Sequence, residues 1–130
     1  MKRVLFLCVE NSCRSQMAEG FFLHHCPAQM TACSAGSKPS GQVNPKAVSL
    51  MQERGIDLDG HVSTGLDDFS DLFFDVAVTM GCGDVCPASS AAERREWSIP
   101  DPKNLDPEAF RRVRDEIESK VLALIQELGG

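Results

Sequence analysis

The chain has no tyrosine and one tryptophan, and its longest apolar run near the start, Val4 to Val9, is short. Such a run is too brief for a signal-peptide core or a bilayer crossing, and no small-residue cleavage site follows it, so a cytoplasmic protein is expected. No GxxxxGK[ST] or GxGxxG pattern occurs, which removes support for a Walker-type nucleotide site or a dinucleotide fold. Positive charge is also scarce: 13 Lys and Arg stand against 19 Asp and Glu, a net -6. That sign repels phosphate backbones and anionic headgroups, so neither nucleic acid nor membrane is expected as a partner. Any anion site here must be built from local dipoles and a well-placed cation. There is no repeat, low-complexity tract or linker, and 130 residues suit one domain, 1–130, expected as a monomer.

What the chain does have is six cysteines. In a cytosolic protein these are more readily catalytic or metal-binding than a disulfide framework. Around them the sequence alternates strand and helix signals. Arg3 to Cys8 is a β-favouring apolar run of the kind buried on both faces of a sheet. Ser15 to His25 reads as a helix, weakened by Gly20, and Met30 to Ser34 as a second strand closed by Ala35-Gly36. Asn44-Pro45 is a helix start, with Ala47, Leu50 and Met51 as its apolar stripe and Gly55 as its end. Asp75 to Met80 is a third strand, Gly81 to Glu93 a Gly- and Pro-rich mobile loop, and Trp97 to Ile99 a short fourth strand. From Pro107 onward, Phe110, Val113, Ile117, Val121, Leu124 and Leu128 recur at steps of three and four, which predicts a long amphipathic helix. The fold class is α/β, with a parallel sheet and helices on both sides.

The segment Cys8-Val9-Glu10-Asn11-Ser12-Cys13-Arg14-Ser15 joins the first strand to the first helix. A cysteine and an arginine six residues apart are weak evidence as a bare pattern, but strand-to-helix turns of parallel sheets are where ligands bind. The turn's backbone N–H groups and the helix N-terminus form a concave anion site, here residues 9–15. A thiolate in such a field beside a guanidinium is stabilised and acts as a nucleophile at neutral pH. Arg14 supplies a planar fork of donors for a tetrahedral oxyanion, and Ser12 and Ser15 can hydrogen-bond thiolate or anion. The bland alternative makes Cys8 a buried strand end and Arg14 a surface charge.

LFLCVENSCRSQMAEG resembles the phosphate loop and first helix of the low-molecular-weight protein tyrosine phosphatase superfamily, and more closely its arsenate reductase branch. NSCRSQMAEG, SAG, NPKA, GID and VTM recur there in this order, and here they occupy Asn11–Gly20, Ser34–Gly36, Asn44–Ala47, Gly55–Asp57 and Val78–Met80. The resemblance reaches Asp101-Pro102 and Arg112–Ile117. It implies a three-layer α/β/α fold with a four-stranded parallel sheet, and reduction of arsenate to arsenite for arsenic detoxification. It further implies that Cys8 attacks the oxyanion, Arg14 grips its oxygens and Asp101 is the general acid, although Asp-Pro is also a common turn dipeptide.

Cys82 and Cys86 follow the third strand, whose end lies on the same sheet edge as Cys8 in a parallel topology. The two electrons that arsenate reduction needs can come from a thiol pair, through exchange from Cys8 to Cys82 and then Cys86. The pair could instead be half of a zinc site, but no second pair of ligands follows at suitable spacing; it could also simply pack. Neither metal nor cofactor is called for. Only Gly83, Asp84 and Val85 separate the pair, a tighter spacing than in better-known thioredoxin-coupled relatives. Thioredoxin is the first choice of reductant, glutaredoxin or a small thiol the second, and phosphate or sulfate can occupy the arsenate site. Competing functions are a phosphatase hydrolysing phosphate monoesters, disfavoured by the thiol pair and the missing tyrosines, and a non-catalytic oxyanion-binding or arsenic-sensing module. Cys13, Cys26 and Cys33 read as packing residues, Trp97 likewise, and His24, His25 and His61 fall outside every constellation.

Overall fold

The computed structural model describes residues 2–8, 13–36, 41–58, 73–80, 91–100, 102 and 105–129. Its elements are β1 (Lys2–Cys8), α1 (Arg14–His25), β2 (Met30–Gly36), α2 (Pro45–Gln52), β3 (Phe74–Thr79), β4 (Ala91–Glu96) and α3 (Pro107–Glu127). All strand pairs are parallel, in the order β2-β1-β3-β4. Chain order thus reverses between β1 and β3, and in open α/β sheets the crevice for ligands lies at that switch point, beyond the carboxyl ends of the strands.

β1 is central, and Val4, Leu5, Phe6 and Leu7 are fully buried. Alternate side chains serve two layers. Val4, Phe6 and Cys8 join the main core with residues of α1, α2 and α3, among them Phe21, Phe22, Met51, Phe110 and Ile117. Leu5 and Leu7 join Ala35, Phe74 and Ala77 in a second buried cluster. Both faces of the sheet are therefore buried, and the three described helices share one core on one face, as one outer layer of a three-layer α/β/α fold. Among the described residues no helix is long and apolar enough to cross a membrane.

Local chemistry sets the helix boundaries. Asn44 Oδ1 accepts from Lys46 N–H at 2.9 Å ahead of Pro45, and Asp106 Oδ1 accepts from Ala109 N–H at 2.8 Å ahead of Pro107. Each side chain satisfies an otherwise orphaned amide, and proline suits the first turn because its missing N–H is not needed there. Gly20 allows close packing: a Cβ built on it would lie 3.0 Å from Leu58 Cδ2 and 3.2 Å from Met51 Cε, so those side chains would have to shift to admit one. The long last helix buries Phe110, Val113, Ile117, Val121 and Leu124 as its spacing anticipates.

One element departs from expectation. The fourth strand is Ala91–Glu96 rather than Trp97–Ile99, so residues 91–93, read as loop, are strand. Among the described residues β4 pairs only with β3, as an edge strand, and its Glu93, Arg94, Arg95 and Glu96 suit an edge that stays in contact with water. Trp97 and Ile99 carry the apolar signal but pack into the main core just after the strand ends. The remainder of the expected mobile loop, residues 81–90, lies outside the described residues.

Candidate functional site

The site is built from the end of β1. Cys8 is its last residue, paired in register with Gly36 of β2, and only 2% exposed. Six residues later Arg14 opens α1, whose first turn contains no acidic side chain to offset the positive end of its dipole. Ser15 is fully buried, and its Oγ lies 2.8 Å from Cys8 Sγ. That hydroxyl can donate to the sulfur whenever the sulfur is an anion. Cys13 is buried in the main core, where its side chain packs, and its carbonyl accepts from Met17 N–H at 2.9 Å.

Arg14 is also buried, at 7% exposure, and its Nη1 donates to the Ile99 carbonyl at 3.1 Å. Nothing in the sequence flags this backbone partner 85 positions away; the only available signal is the Ile99-Pro100 dipeptide, which marks extended chain. Ser34 of β2 donates to Glu19 Oε1 of α1 at 2.5 Å, tying the two elements together. No group of three or more His, Cys, Asp or Glu poised for a metal ion occurs among the described residues.

The end of β3 reaches the same place. Thr79 pairs with Leu7, and Met80 N–H donates to the Leu7 carbonyl at 2.7 Å, one residue short of Cys8. The chain that goes on to Cys82 and Cys86 therefore departs beside Cys8 on the neighbouring strand. Trp97 N–H donates to the Thr79 carbonyl at 2.9 Å, which brings the Trp97–Pro100 stretch to this edge as well. Val9, Glu10, Asn11, Ser12, Cys82, Cys86 and Asp101 themselves lie outside the described residues. The structure thus joins Cys8, Arg14, Ser15 and Cys13 in one place and brings two further chain segments up to it.

Cys26, which follows α1, and Cys33, opposite Leu5 on β2, stand apart from this cluster. Burial pushes the Cys26 thiol above its ordinary range, and its Sγ donates to the Met30 carbonyl at 3.5 Å. Burial and then the nearby Glu19 carboxylate push up the Cys33 thiol. Both are thereby held as thiols at neutral pH. A cleft of about 220 Å3 between α2 and α3 is lined by Lys46, Ser49, Leu50, Glu53, Pro107 and Arg111, and contains none of the residues just described.

Comparison with known proteins agrees with this geometry. The profile of the family described as low molecular weight phosphotyrosine protein phosphatase matches residues 3–130. A glutaredoxin arsenate reductase of Synechocystis is 36% identical over 98% of this chain and 99% of its own length. An arsenate reductase of Halalkalibacterium halodurans is 43% identical over 92% of each chain. A solved structure described as an arsenate reductase in the phosphate binding state superposes with a TM-score of 0.89, at 36% identity and 98% coverage of both chains.

Proposed function

The chain belongs to the low molecular weight phosphotyrosine protein phosphatase family, and from that premise we propose that it is an enzyme reducing arsenate to arsenite, with Cys8 as nucleophile. The observation that carries the assignment is the placement of Cys8 at the β1/β3 switch point, with Ser15 Oγ 2.8 Å from its sulfur and Arg14 at the start of α1. Relatives over nearly the full length are arsenate reductases.

The chemistry runs in three exchanges. Cys8 Sγ attacks arsenic(V) and forms an arsenic–sulfur bond, while an arsenate oxygen leaves as water with a proton from Asp101. Arg14 and the amides of residues 9–15 bind the remaining oxygens. Cys82 then attacks Cys8 Sγ: a sulfur–sulfur bond forms, the arsenic–sulfur bond breaks, and its electron pair stays on arsenic, which departs as arsenite. Cys86 attacks Cys82, expels Cys8 as thiolate and leaves a Cys82–Cys86 disulfide. The exit of β3 beside Cys8 supports this order, because disulfide exchange needs Cα atoms within about 7 Å.

An external thiol reductant must reopen the last disulfide. We assign thioredoxin first and glutaredoxin or a small thiol second, and we place the reaction in the cytoplasm, where these donors are kept reduced. Mass spectrometry after arsenate treatment tests the cascade. A Cys82–Cys86 disulfide is expected in the wild type and a Cys8–Cys82 link in Cys86→Ser. Cys82→Ser should abolish arsenate-dependent consumption of reductant yet keep any aryl-phosphate hydrolysis; equal loss of both activities rejects the cascade.

A further inference from the structure

The Arg14 guanidinium does not hang from α1 alone. Its Nη1 donates to the Ile99 carbonyl at 3.1 Å, and Ile99 is almost wholly buried. A guanidinium carries five N–H donors in one rigid plane, so anchoring one of them on a carbonyl limits how that plane can turn. The carbonyl is itself held. Two residues upstream, Trp97 N–H is bonded to the Thr79 carbonyl at 2.9 Å and the indole packs on Phe6 at a centroid distance of 5.8 Å. One residue downstream, Pro100 restricts Ile99 to extended backbone and so limits the directions its carbonyl can take. Pro100 is exposed and is not part of either buried cluster.

We propose that Ile99 and Pro100 form a backbone rest that sets the plane in which Arg14 meets the oxyanion. Pro100 is thus a positioning residue acting through the Ile99 carbonyl on Arg14. The proposal rests on the assignment of Arg14 as the anion-gripping side chain. With the rest intact, the guanidinium is preorganised; without it, part of the binding energy goes into ordering a long side chain on each encounter.

The test uses the full chain and inorganic phosphate, titrated by calorimetry, together with kcat/KM for arsenate in a dithiol-coupled assay. Pro100→Ala is expected to weaken phosphate binding about tenfold, the scale of one hydrogen bond to a charged group, and Pro100→Gly to weaken it further. The thermal transition of Pro100→Ala should stay near that of the wild type, since the Pro100 side chain is exposed. In an Arg14→Lys background, Pro100→Ala should leave kcat/KM unchanged, because the plane it sets no longer exists. Wild-type affinity in both proline variants, or a full and additive loss beside Arg14→Lys, overturns the rest while leaving arsenate reduction standing. A wild-type protein that neither binds phosphate nor turns over arsenate overturns the functional reading and the rest with it.

Discussion

Ser15 and Cys8 share a buried contact of 2.8 Å in which either atom can donate. Removing the hydroxyl leaves the sulfur without that partner in a site with little water access, so Ser15→Ala should slow arsenate reduction about tenfold or more. Steady-state assays and an unchanged circular dichroism spectrum would check this; a wild-type rate would show that the hydroxyl serves only packing. Cys33 is kept out of this chemistry by position as well as by its raised pKa. Cys33 pairs with Leu5 in the β1/β2 register, three residues before the level of Cys8. At about 3.3 Å per strand residue the separation is about 10 Å, beyond the reach of a disulfide. Cys8, Arg14 and Ser15 were legible because they flank one short connection from a strand to a helix. The Ile99 carbonyl was not, since a backbone acceptor distant in sequence leaves no trace in residue type.

At the scale of elements, legibility followed how completely a segment is buried. β1 announces itself because both of its faces are covered, and α3 because one stripe is. β4 is concealed by its own chemistry: an edge strand needs few apolar residues, and AAERRE reads as loop. Arg114 is a second concealed feature. It occupies a buried position on the α3 stripe and donates through Nη1 to the Leu50 carbonyl at 3.0 Å and to Glu53 Oε1 at 2.8 Å, so it pins α3 to α2. Glu53 also pairs with Arg111, and the hydrogen bonds from Arg111 and then Arg114 lower its pKa to about 2. A carboxyl with a depressed folded-state pKa adds stability above its unfolded pKa of ~4.3 and loses it as pH falls. The stability gap between wild type and Glu53→Gln should therefore hold steady above pH ~5 and close between there and about 2. Urea midpoints across pH would show it; a gap independent of pH would mean the carboxylate charge is not what fastens the two helices.

For the molecule as a whole, one core cluster links all three described helices to β1, β2 and β3. A continuous core of this kind favours a single cooperative transition. Loss of helical circular dichroism in urea and exposure of the buried Cys13 to a thiol-alkylating reagent should accordingly share one midpoint; two separated midpoints would divide the chain into independent units. The strand order is the part that sequence could not supply, because the pairing of β1 with β3 joins residues about 72 positions apart, as Val4 with Val76. That pairing delivers two later segments to the cysteine at the end of β1. One of them passes Trp97. Because the chain has a single indole and no phenol side chains, its ultraviolet-excited emission originates two residues from the carbonyl that Arg14 touches. The protein thus carries a built-in optical gauge: a change in its emission on adding phosphate is the expected sign of anion capture, with no attached dye.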